Sequence, residues 1–161
     1  MPDLVGDFTR EFHRYREAAE KAIAQIPDEA LNHVPATEAN SIAMLVRHIS
    51  GNLRSRFTDF LTSDGEKPWR DRDSEFVERA YSRAEIDAMW QEGWRIVDAE
   101  LARLTDGQLD QTVSIRGAPD TVHGALCRAV AHVATHAGQI VLLARLHTGG
   151  NWATLTIPKR K

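Results

Sequence analysis

The chain has 161 residues, 42% hydrophobic and 27% charged, which is the composition of one globular domain large enough to bury a core without disulfide or metal staples. The formal net charge of −3, with both signs mixed along the chain, provides no basic face for nucleic acid, and the terminal Lys159-Arg160-Lys161 is read as a short solubilising end. A single cysteine, Cys127, excludes an internal disulfide framework and points to a reducing, cytoplasmic setting.

The first residues lack the basic and apolar regions of a secretory leader. The longest uncharged stretch, Ala129 to Ala144, is shorter than the ~20 residues of a membrane span and contains two histidines and a glutamine. No membrane partner is therefore expected.

The first helix is predicted from Leu4 to Ile26, with Leu4, Phe8, Phe12, Tyr15, Ala19, Ala22 and Ile26 on one stripe, and Pro27-Asp28 ending it. A polar connection through Asn32, Pro35, Thr37 and Asn40 leads to a second helix from Ser41 to Leu61, capped by Asn40 or Ser41. Its apolar face is Ile42, Leu45, Ile49, Leu53, Phe57 and Phe60, and Ser63-Asp64-Gly65 signals a turn. The charged segment from Glu66 to Tyr81 reads as a loop with one helical turn near Glu75 to Arg79.

Ser82-Arg83-Ala84-Glu85 has the pattern of a capping box and starts a third helix that runs to Leu104. Gln111 to Ile115 alternates like a short strand and Arg116-Gly117-Ala118-Pro119 turns the chain, so a hairpin or extended loop is expected there. The fourth helix is predicted from Val122 to His147, stopped by Gly149-Gly150. An extended tail runs from Trp152 to Lys161 and breaks at Pro158. Four long amphipathic segments in residues 1–161, with no repeat or linker, make a single all-α domain, a four-helix bundle.

The chemistry concentrates in histidines. His132 and His136 are four residues apart, which stacks their rings on one helix face within reach of one metal ion. Seven histidines placed at random give such a pair in roughly a quarter of chains this long, so the pair alone is a weak signal. Its setting adds weight, because the two rings border the apolar stripe of Val122, Leu126, Val133, Ile140 and Ala144. A third ligand must come from another helix. His48, beside Leu45 and Ile49, is the first candidate and His13 the reserve, whereas His33, His123 and His147 lie near ends or loops. Periodicity and spacing are equally satisfied by hydrogen-bonded core-edge histidines with no metal.

Three stretches then bear a resemblance: Asn40-Ser41-Ile42 into His48-Ile49-Ser50-Gly51-Asn52, Thr62-Ser63-Asp64-Gly65-Glu66-Lys67-Pro68-Trp69, and His132-Val133-Ala134-Thr135-His136-Ala137-Gly138-Gln139-Ile140. Together with Leu155-Thr156-Ile157-Pro158-Lys159, they resemble the DinB-like superfamily, in particular a small bacterial branch of uncharacterised function. The resemblance implies a four-helix bundle in up-down-down-up order, with a long crossover between helices 2 and 3. It implies a nickel- or zinc-type ion held by His48, His132 and His136, and a homodimer. It also implies a metal-dependent enzyme of thiol S-transferase or hydrolase type, with a low-molecular-weight thiol as a further cofactor. A non-catalytic metal-binding stress or interaction protein is the alternative.

Around the histidines, Asn52 and Gln139 are candidates for orienting a ligand or substrate, and Arg56 and Arg70 for holding an anionic small molecule. Trp69 and Trp152 are candidates for a pocket mouth, although ordinary loop packing is the safer reading of both. The small-residue stripe Gly124, Cys127, Ala131, Ala134 and Gly138 suits close approach of a neighbouring helix or of a second subunit.

Overall fold

The computed structural model describes residues 3–157, so the break at Pro158 and the Lys159-Arg160-Lys161 end lie outside the described residues. Four long helices form where apolar periodicity and capping residues coincide: α1 Leu4–Ile23, α2 Ile42–Phe57, α3 Arg83–Leu101 and α4 Val122–Thr148. Each start is capped by a side-chain oxygen that takes an otherwise orphaned backbone N–H. Asp3 accepts from Gly6, Ser41 from Met44, Ser82 from Glu85 and Thr121 from Gly124. At α3 the expected capping box is complete, with Glu85 reaching back to the Ser82 backbone.

Of the hairpin and the extended loop expected after α3, the hairpin forms. The chain is mostly helical but also holds a two-stranded antiparallel sheet, β1 Thr112–Ile115 and β2 Ala118–Thr121, with Ile115 opposite Ala118. Arg116 and Gly117 form its two-residue turn at φ +57° and +73°. Positive φ at both central positions is the type I′ geometry that matches strand twist in tight hairpins.

Several boundaries also move. Helix α1 stops at Ile23 rather than Ile26 and α2 at Phe57 rather than Leu61. In α2 the reason is local: Thr58 is extended at ψ 122° and Asp59 is left-handed at φ 49°. Ile26 and Phe60 still reach the core from beyond the helix ends, whereas Leu4, expected on the apolar stripe, is exposed. The turn in the crossover spans Asp73–Phe76, earlier than expected, and three further short 3₁₀ turns (Asp28–Ala30, Asp106–Gln108 and Gly149–Asn151) carry no apolar periodicity.

One core joins the four helices, centred on fully buried Phe12, Leu45, Ile49, Phe57, Trp94, Leu126 and Ile140. Helix α2 packs extensively along α3, and α1 along α4. Gly93 permits the first approach: a Cβ there would stand 3.0 Å from Ser50 Cα. Helices α2 and α4 meet more lightly, and the histidines line this seam.

By length and apolarity alone, Val122–Asn151 would suffice to cross a membrane. In the fold, Val122, Leu126, Val133 and Ile140 on α4 are instead core residues. Cys127, Ala131 and Gly138 from the small-residue stripe are exposed, so none of the described helices covers them.

Candidate metal centre

His48 projects from the middle of α2, while His132 and His136 project from successive turns of α4. The three rings form a triangle with centroids 4.9, 4.8 and 4.6 Å apart. One ring nitrogen from each lies within 4.8 Å of the others. His48 is buried and the other two are half-buried. His13, the reserve candidate, is instead exposed and pairs with Asp98 at 2.9 Å.

Hydrogen bonds set which nitrogen faces the cluster in two of the three rings. His48 Nδ1 lies 2.8 Å from Glu75 Oε2, and His136 Nδ1 lies 2.7 Å from Gln139 Oε1. Carboxylate and amide oxygens accept, so both Nδ1 atoms carry the proton and both Nε2 atoms present a lone pair. This is how outer-shell groups prepare imidazoles for a metal. His48 Nε2 and His132 Nε2 approach to 2.9 Å, the separation of two ligands ~2.1 Å from one ion at about 90°.

The donor set could hold a metal ion, with two particulars. Two nitrogens bound to one ion stand at most about 4.2 Å apart, twice the usual bond length, so the widest 4.8 Å spread requires a ring to swing inward on loading. In addition, His132 Nδ1 is buried with no hydrogen-bond partner among the described residues, so this ring lacks an orienting acceptor.

Burial, followed by the neighbouring His136 and His48, pushes the His132 imidazole down to about 3. Burial is also the main cause of the lowered value at His136, outweighing the opposing bond from Gln139. Both rings are therefore neutral at physiological pH, the state that binds metal.

Glu75 is a partner of the histidine cluster that the helical pattern does not reveal. It lies in the crossover turn, where Arg70 grips both of its oxygens at 2.9 and 3.0 Å, and the Arg70 side chain is only 2% exposed. Burial alone would raise the Glu75 carboxyl, but the His48 and Arg70 hydrogen bonds and the Arg70 charge outweigh it and hold the value below the usual carboxylate range.

Gly51 makes room for this carboxylate, since a Cβ there would lie 2.2 Å from Glu75 Oε1. A mid-helix glycine costs about 0.5–1 kcal/mol relative to alanine, so its presence in α2 is explained by the ligand support behind it. Phe76 packs against His48, with ring centroids 4.7 Å apart.

The histidines open into a recess of about 760 Å³. Asn52, Arg56 and Arg70 line it, with Arg70 paired to Glu75, while Gln139 holds His136. Trp69 lies in a different surface depression beneath Arg54, and Trp152 packs against the core edge, so neither borders the histidine recess.

Residues 3–161 match a family described as a protein of unknown function, DUF1572. No curated protein matches the chain. Among solved structures, a conserved protein from Enterococcus faecalis is similar at 18% identity and a TM-score of 0.70, over 92% of this chain and 99% of that one. At that identity the likeness establishes a shared fold and carries no function with it.

Proposed function

We propose that this chain, which belongs to the DUF1572 family, binds one divalent ion through His48, His132 and His136 and uses it in a thiol S-transfer or hydrolysis reaction. The observation that carries the reading is the set of three imidazoles, two with their tautomers set by Glu75 and Gln139, converging at the floor of an open recess. Imidazole donors suit zinc and nickel, and the resemblance to DinB-like proteins favours these two.

A bound ion would supply Lewis acidity, polarising a substrate oxygen or lowering the pKa of a water or a low-molecular-weight thiol. The chain's own residues perform the remaining tasks. Glu75 and Gln139 hold the His48 and His136 rings and their protons. Arg70 keeps Glu75 ionised, and Phe76 shields the His48 ring from water on one side. No carboxylate is among the residues lining the recess, so the reading assigns no protein general base and proton removal falls to solvent or to the substrate itself.

A non-catalytic metal-binding protein is the competing reading. A recess of about 760 Å³ beside the ligands, within the 300–1,000 Å³ range of small-molecule sites, favours catalysis over a sealed structural ion.

Within the same proposal the protein is cytoplasmic. Its helices follow the DinB-like up-down-down-up order, for which the connection from Thr58 to Ser82 between α2 and α3 is long enough. A second copy would cover the exposed Cys127, Ala131, Gly138, Leu142 and Leu146 of α4.

The test is turnover of a thiol panel with electrophilic acceptors, and of simple esters and amides, by zinc-loaded, nickel-loaded and metal-free protein. Metal-dependent turnover that vanishes in His136→Ala supports the reading. Equal rates with and without metal would refute the role given to the ion, and no turnover on any substrate would favour the binding-protein alternative.

A further inference from the structure

Five arginines (Arg56, Arg70, Arg72, Arg116 and Arg128) line the histidine recess, and no aspartate or glutamate does. The nearby carboxylates stand behind the arginines. Glu66 bridges Arg56 at 3.2 Å and Arg116 at 2.8 Å, while Glu75 holds Arg70. Arg128 has no acidic partner among the described residues. Asp73 lies 3.5 Å from Arg72, so the five guanidinium charges exceed the three carboxylates paired with them by two, before any metal adds two more.

The arrangement follows from two helical ladders. On α2, His48, Asn52 and Arg56 recur at four-residue steps, and on α4 so do Arg128, His132 and His136. Four residues advance about 6 Å along a helix, so Arg128 stands one turn from His132 and Arg56 two turns from His48. Between the ladders the wall of α4 is Ala125 and Ala129, which leave the space open. Asn52 is buried, faces the recess and makes no side-chain hydrogen bond among the described residues.

Arg116 is delivered by the hairpin at a conformational cost. It occupies φ +57°, where a non-glycine residue pays on the order of 1 kcal/mol, and the preferred residue at this turn position is asparagine or glycine. Asp64 clasps the turn, accepting from the Arg116 and Gly117 N–H groups at 2.9 and 2.8 Å and from Ser114 Oγ at 2.6 Å.

We propose that the recess binds a small molecule bearing a carboxylate or phosphate group, with that oxyanion held by Arg128, Arg116 and Arg56 about 6–12 Å along the helices from the histidines and its polar middle facing Asn52. This assignment rests on the metal-site reading for the position of the reacting end, but not for the anion site itself.

Succinate and inorganic phosphate are the probes, titrated calorimetrically into the full chain at low ionic strength, both chelator-treated and zinc-loaded. Saturable binding is expected in both states, independent of the zinc stoichiometry that tests the metal reading. Arg128→Ala and Arg116→Asn should each weaken it at least tenfold, while Arg95→Ala, remote and paired with Glu92, should leave it unchanged. Arg116→Asn should do so with an unchanged or higher melting temperature, because it restores the favoured turn residue. Failure of both probes to saturate the wild type in either state, or wild-type affinity in both arginine variants, would overturn the proposal.

Discussion

Replacing Glu75 by glutamine separates the charge behind His48 from its hydrogen bond. The amide oxygen can still accept from His48 Nδ1, which lies 2.8 Å from the native carboxylate, but the negative charge is gone. A carboxylate ~7 Å from a divalent ion would contribute about 5 kcal/mol at an effective dielectric of 20. That figure overstates the effect, because Arg70 grips both Glu75 oxygens and the pair is nearly neutral from a distance.

The expected loss is therefore the ordinary 10- to 100-fold for an outer-shell change, about 1.4–2.7 kcal/mol. The fold should suffer separately. Arg70, 2% exposed, would be left without its counter-ion, at a cost of up to about 3–5 kcal/mol. Competition with a chromophoric chelator measures the first effect, and urea unfolding of metal-free protein measures the second. Zinc affinity within twofold of wild type in Glu75→Gln, with His48→Ala having lost the ion, would refute the role given to Glu75.

Gly51→Ala should destabilise the metal-free protein by on the order of 2 kcal/mol and weaken zinc binding, because its Cβ would intrude on the Glu75 carboxylate; a gain of about 0.5–1 kcal/mol, as helix propensity alone gives, would contradict this. His132 is depressed to about 3 when folded, below its unfolded value near 6.5, so the unfolded chain binds the extra proton between these values and stability falls with pH. Urea unfolding of metal-free protein should accordingly show a loss of up to about 2 kcal/mol from pH 7.5 to pH 5, reduced by the partial exposure of this ring, and a flat profile would argue against a buried neutral His132. Leu142 is 57% exposed on α4, and Leu142→Glu should convert a sedimenting dimer to monomer; wild type sedimenting only as monomer at micromolar concentration would remove the dimer.

Much of the helical frame was legible because apolar periodicity and caps act locally. Ser82 with Glu85, a chain reversal within Arg116-Gly117-Ala118-Pro119 and the four-residue spacing of His132 and His136 could all be read without knowing the fold. Helix ends were less legible because tertiary contacts set them. Gln25, expected inside α1, instead holds the tail through Ala153, accepting from its N–H at 2.7 Å and donating to its carbonyl at 3.1 Å.

The same limit applied at the site. Nothing in the spacing ties Glu75 to His48, since the crossover loop obeys no periodicity. Arg128 stood in plain view one turn before His132, but its meaning depended on α2 bringing Asn52 and Arg56 to the same recess. Mid-helix Gly51, unfavourable where it stands, was the local signal that something needed the space.

The central claim is the three-histidine ion site, and elemental analysis of purified protein tests it most directly. The account predicts about one zinc or nickel ion per chain in the wild type and less than a tenth of that in His132→Ala and His136→Ala, with folding intact by circular dichroism. Wild-type metal content in both variants, or a wild type that takes up no ion when offered either metal, would contradict it.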